Sequence, residues 1–95
     1  MAIRTTLEAE RDIYRLFELG VRDYGFAAAD RYATDLREAL HVLSANPYMV
    51  RERHETGRPV RLYRFRAHYI LYTIDNEDVL VLRVLSNRQD WLHQL

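Results

Sequence analysis

The chain has no cysteine and no lysine, only three glycines and two prolines, and no apolar run approaching the roughly eighteen residues that a bilayer crossing needs. Without cysteine there is no disulfide staple and no thiolate nucleophile, which fits a reducing compartment. The N-terminus MAIRTTLEAE lacks the apolar stretch of a secretory leader, so a cytoplasmic protein without membrane attachment is expected. Glycines at 20, 25 and 57 are too scattered for a phosphate-cradling loop and suit helix packing or turns. His41, His54, His68 and His93 show no metal-ligand spacing, and Ser44 and Ser86 sit in no nucleophile elbow. No metal, cofactor or Ser-His-Asp chemistry is expected.

What is present is a 95-residue chain, 48% hydrophobic, enough for a single core and hence one domain over residues 1–95. Fourteen acidic residues balance fourteen basic ones, all of the latter arginine, but unevenly. Residues 1–46 carry six arginines against eight acids, a charge of −2; residues 47–74 carry six arginines against Glu52 and Glu55, a charge of +4. A basic middle attracts phosphates or an acidic protein, or is simply the solvated face of an edge strand. The zero overall balance argues against a dedicated, sequence-specific nucleic-acid binder.

Residues 57–91 organise the rest. Their β-branched and aromatic content predicts three strands in a meander, at 58–66, 68–75 and 78–85, with a tight break at Arg66-Ala67-His68 and a four-residue hairpin loop at 75–78. In the second strand His68, Ile70, Tyr72 and Ile74 share one face and Tyr69, Leu71 and Thr73 the other. The third repeats this, with Leu80, Leu82 and Val84 opposite Val79, Val81, Arg83 and Leu85. Both sheet faces therefore call for cover. The first strand, with Val60 and Leu62 opposite Tyr63 and Phe65, reads as bulged or as a two-faced edge.

Upstream, residues 2–5 read as a short strand at the sheet edge. Thr5 with Glu8 matches a capping box ahead of a helix at 7–24, whose apolar face is Ala9, Ile13, Leu16/Phe17, Gly20 and Tyr24. Gly25 ends it in a left-handed conformation. A second helix over 27–45 carries the stripe Ala29, Tyr32, Ala33, Leu36, Leu40 and Leu43, and Asn46-Pro47 stops it. The short connection forces an antiparallel hairpin, and 48–56 reads as loop. The expected class is α+β, two-layer, a helical hairpin packed on an antiparallel sheet in the order β-α-α-β-β-β. One helical layer leaves the second sheet face bare.

On that bare face the pairing would project Arg61, Tyr63, Tyr69 and Arg83 together. Two readings stand: arginines clamping a phosphate beside a phenol or His68 for metal-free RNA cleavage, or edge arginines and aromatics that bury against a bound peptide.

The segment DIYRLFELGVRDYGFAAADRYATDLREALHVLSANPYM, the strand pair VRLYRFRAHYILYTID and the ending VLVLRVLSNRQDW resemble, over nearly the whole chain, the ParE toxins of the RelE/ParE superfamily. The shared features are Tyr24-Gly25 between the helices, Asn46-Pro47 after the second, the basic-aromatic first strand, the His68-Tyr69-Ile70-Leu71-Tyr72 strand and the Val-Leu ending before a short tail. The resemblance implies the fold argued above and a cognate ParD-like antitoxin that wraps the toxin. It also implies a choice of target: ParE members poison DNA gyrase, whereas RelE members cleave mRNA on the ribosome. RelE-type nucleases carry a catalytic arginine in the strand matching residues 68–72, where Tyr69 stands here. They also have basic residues and a tyrosine after the last strand, where this chain has Ser86-Asn87-Arg88-Gln89-Asp90-Trp91. These departures favour a non-enzymatic gyrase inhibitor over the alternative of a RelE-like, ribosome-dependent endoribonuclease. A non-toxic interaction module on the same fold is the third reading. The expected antitoxin surface comprises Tyr63, Phe65, Tyr69, Leu71, Arg61 and Arg83. The expected target contact is the tail, through Arg88, Asp90 and Trp91, unless Trp91 folds back on the core.

Overall fold

The computed structural model describes residues 1–86. Along the chain these form β1 (Ile3–Thr5), α1 (Leu7–Tyr24), α2 (Phe26–Ala45), β2 (Glu52–Arg53), β3 (Val60–Phe65), β4 (His68–Asp75) and β5 (Asp78–Leu85). Helix α1 starts where Thr6 caps it, its Oγ1 accepting from the Ala9 amide at 3.0 Å. The cap is Thr6 rather than the expected Thr5 because Thr5 is still in β1, paired with Val81, and its hydroxyl donates to Glu10. Glu8 and Glu10 in the first turn and Arg22 in the last suit the helix dipole. Gly25 lies at φ 88°, ψ 165°, a region open essentially to glycine alone and not the left-handed helical one expected. Its N–H donates to Val21 O as α1 ends, and its carbonyl accepts from Ala29 N as α2 begins. One residue thus reverses the chain.

The strands lie in the order β1-β5-β4-β3-β2. The meander is antiparallel as expected, but β1 runs parallel to β5, Ile3 beside Val79 and Thr5 beside Val81, so the sheet is mixed. Two residues of the supposed loop, Glu52 and Arg53, pair with Arg61 and Val60 as β2. The β4–β5 turn is tighter than a four-residue loop: Asp75 and Asp78 are already strand partners, and Asn76 and Glu77 both take positive φ, as a type I′ hairpin demands.

Strand β3 needs no bulge. It pairs in register with β4 from Arg61–Tyr72 to Phe65–His68, and its two apolar faces are plain alternation. The irregularity lies in the β4–β5 pair, where Tyr72 meets Val81 but Leu71 meets Arg83. The shift breaks the alternation expected for β5. Val79, Val81 and Val84 join Ile70 and Tyr72 in the core beneath the helices, with Ala9, Ile13, Leu36, Leu40 and Leu43. Leu82 and Leu85 turn to the other face with Val60, Leu62 and Leu71.

Asp12 serves the same bulged stretch. Its carboxylate accepts from Arg83 Nε at 2.7 Å, Arg83 Nη2 at 2.9 Å and the Val84 amide at 2.9 Å. Thr6 Oγ1 donates to the Leu82 carbonyl at 2.7 Å. Because β1 ends opposite Val81, these side chains of α1 satisfy backbone groups that no strand reaches. At the far end of α2, buried Tyr72 donates to Pro47 O at 2.8 Å, fastening the helix exit to the sheet, and burial raises its phenol's pKa.

Candidate functional site

Helix α1 sets off from mid-sheet. Beyond Val81, the last partner of β1, strand β5 has only Leu82 to Leu85 left, about 13 Å at 3.3 Å per residue. Helix α1, with 18 residues, is about 27 Å long at 1.5 Å per residue. The hairpin end of α1 and the start of α2 therefore extend past the sheet, and their inward stripes lose its support beyond Leu16 and Tyr32, which still pack on the core and on Phe65 and His68. The underside of this overhang is a groove of about 340 Å³ lined by Leu16, Leu19, Gly20, Tyr24, Ala28 and Ala33 among others. Gly20 keeps the helices close: a Cβ there would lie 3.2 Å from that of Ala29. Leu19 is 39% exposed and Tyr24 80%, while on the rim Phe17 and Phe26 meet edge to face at 5.8 Å.

Polar groups close the groove where it meets the sheet. His68 and Tyr32 line it together with Ser86, and Asp23 lines it towards the hairpin tip. The Tyr32 hydroxyl is hydrogen-bonded to His68 Nδ1, and the Tyr32 ring stands edge-on to Phe65 at 5.4 Å. Arg66 lies over both Tyr32 and Phe65, at 5.3 and 5.1 Å from their centroids, and pairs with Asp35. Arg66 takes φ 54° in the two-residue β3–β4 turn, which aims it back at α2. Burial lowers the His68 pKa below its ordinary value and raises that of Tyr32, so both are neutral near pH 7.

The surface expected from sequence does not assemble. Tyr63 and Phe65 pack against the helix-covered core, whereas Leu71 lies on the opposite face, fully buried. Tyr69 pairs with Arg64 and Leu85 and alternates with Ile70, which puts it on the Leu71 side. Arg61 donates to Val50 O, lies 5.1 Å from the Tyr48 ring centroid and approaches Glu52. Arg83 is bound to Asp12 on α1. Arg61, Tyr63, Tyr69 and Arg83 therefore do not converge. Of the expected antitoxin residues, only Phe65 adjoins the groove, through Tyr32. Arg88, Asp90 and Trp91 lie outside the described residues. Sequence reading missed Leu16, Tyr24 and Tyr32 as groove lining because their stripes look like core, and Leu19 because it lies off the expected stripe. The signal is the register of β1, which decides how much sheet lies under α1.

Among the described residues, no helix is long and apolar enough to cross a membrane, and no group of three metal-ligating side chains occurs. Comparison with known proteins gives a consistent answer. A family model described as the ParE toxin of the type II toxin–antitoxin system, parDE, matches residues 3–91. Toxin ParE3 of Caulobacter vibrioides is 29% identical over 84 residues, 88% of this chain and 84% of that protein. A solved structure described as the chromosomal ParDE TA system from P. aeruginosa shares the fold, with a TM-score of 0.76 at 20% identity over 90% of this chain and 95% of that one. A helical hairpin on a five-stranded mixed sheet, matched along almost its whole length by that family model, makes this chain a member of the ParE toxin family of type II toxin–antitoxin systems.

Proposed function

We propose that a ParD-like antitoxin holds this toxin inactive by seating an amphipathic segment in the groove under the helical overhang. The freed toxin then acts on DNA gyrase in the cytoplasm by protein–protein binding, as one domain over residues 1–95, with no cofactor and no bond made or broken by its own side chains. The observation that carries the antitoxin reading is the groove itself: an apolar trough between two helices, ending in fixed polar groups, is the receptor half of helix-in-groove recognition. The fold match to a ParDE system favours a ParD-type occupant.

Two features favour gyrase over RNA. Tyr69 stands where a nuclease arginine is expected, and Arg61, Arg66 and Arg83 are engaged within the chain rather than gathered around one phosphate site. Arg88, Asp90 and Trp91 form the proposed target contact. The test sets a gyrase supercoiling and cleavage assay beside primer extension on translated mRNA. Cleaved gyrase–DNA complexes with uncut mRNA are expected, with the cleavage abolished by added antitoxin and by truncation after Ser86. Cut mRNA with untouched gyrase would overturn the target assignment.

A further inference from the structure

The groove is apolar along most of its length but has one open hydrogen-bonding position, on His68. Its Nδ1 is taken by the Tyr32 hydroxyl. Its Nε2 has no hydrogen-bond partner among the described residues. Among the described residues no buried side-chain nitrogen or oxygen is left unsatisfied, so on this half-buried ring Nε2 reaches solvent. We take the tautomer in which the Tyr32 hydroxyl donates to His68 Nδ1, since a phenol is a stronger acid than a neutral imidazole N–H. That leaves the remaining imidazole proton on Nε2, pointing outward as a donor. Arg66, paired with Asp35, lies over the Tyr32 ring at the same end, and Asp23, paired with Arg22, lies towards the opposite end.

We infer that His68, oriented by Tyr32, reads a carboxylate on the antitoxin segment that fills the groove, through an Nε2–H···O hydrogen bond at the sheet end. This rests on the groove being the antitoxin's seat and names the chemistry by which that seat selects its occupant. His68 is then a specificity residue and Tyr32 a positioning residue acting through it.

A consequence is proton-linked binding. In the free toxin His68 titrates below its ordinary 6.5, because burial disfavours the imidazolium. Tyr32 from α2 is bonded to it, and Arg66 from the turn lies over the Tyr32 ring and is engaged by Asp35; among the described residues no carboxylate pairs with an imidazolium here. A partner carboxylate at Nε2 raises the pKa, so binding takes up a proton. The extra affinity is present at low pH and fades as pH rises through the complex's His68 pKa.

The probe is the purified cognate ParD-like antitoxin, titrated by calorimetry between pH 8 and pH 6. Wild type should bind about tenfold tighter at pH 6, one pKa unit of linkage. His68→Gln keeps a donor but cannot titrate, so it should bind as wild type does at pH 8 with a flat profile. His68→Phe should bind weakly at every pH, and Tyr32→Phe should weaken binding while keeping the slope. Circular dichroism and melting confirm that each variant is folded. A flat wild-type profile, or His68→Phe binding as wild type does, overturns the role of His68 and leaves the groove assignment standing. No binding by folded wild type at any pH overturns the antitoxin reading itself.

Discussion

The two halves of the helical hairpin carry the same kind of apolar stripe and meet different fates. Over the sheet, Ala9, Ile13, Leu36, Leu40 and Leu43 are buried against Ile70, Tyr72, Val79 and Val81. At the sheet's end, Leu16 and Tyr32 are half-buried, and past it, towards the hairpin tip, Leu19 and Tyr24 are exposed. Nothing local to the helices distinguishes the halves. The difference is whether a strand lies beneath, and that is decided by β1 pairing with the first part of β5 and releasing the chain into α1 at mid-sheet. An apolar stripe that continues beyond its support is the kind of exposed patch that marks an interaction surface.

The contrast breaks most visibly on the supported side. Leu36→Ala removes a side chain that is 1% exposed and should cost about 3 kcal/mol, read as a lowered denaturant midpoint. Asp12→Ala comes next. It leaves the Val84 amide and the Arg83 guanidinium without their carboxylate at the place where α1 leaves the sheet, and should cost about 2 kcal/mol in the same measurement. Leu19→Ala, in the overhang, should cost less, about 1 kcal/mol, because the side chain is 39% exposed and its loss leaves no closed cavity. A cost for Leu19→Ala near that for Leu36→Ala would mean that both halves are core.

Helix limits and the strands β4 and β5 were legible in the sequence because periodicity, Gly25 and Asn46-Pro47 mark them locally. What escaped depends on partners distant in the chain. The parallel pairing of β1 rests on three residues, too few to carry a period. Strand β2 hides in a charged stretch because an edge strand of two residues has no apolar face to declare. The shared face assigned to Tyr63, Phe65, Tyr69 and Leu71 failed because β3 sends its odd-numbered residues to the helix side, where β4 sends its even-numbered ones. The bulge that returns Val84 to the core, and the clasp of Asp12 on Arg83 some seventy positions later, leave no mark in local pattern. For the site, the lining residues were visible as stripes, but their exposure was not, since exposure here is a matter of register.

The surface we propose for the antitoxin is the underside of the overhang and not the opposite sheet face. The most direct test is the affinity of the purified antitoxin for Leu19→Asp/Tyr24→Asp compared with Tyr69→Asp, each variant first shown by circular dichroism to be folded. The groove variant should lose about 100-fold in affinity, as expected when two anchoring side chains are removed, and Tyr69→Asp should bind as wild type does. Wild-type affinity in the groove variant, with the loss falling on Tyr69→Asp instead, would contradict the account.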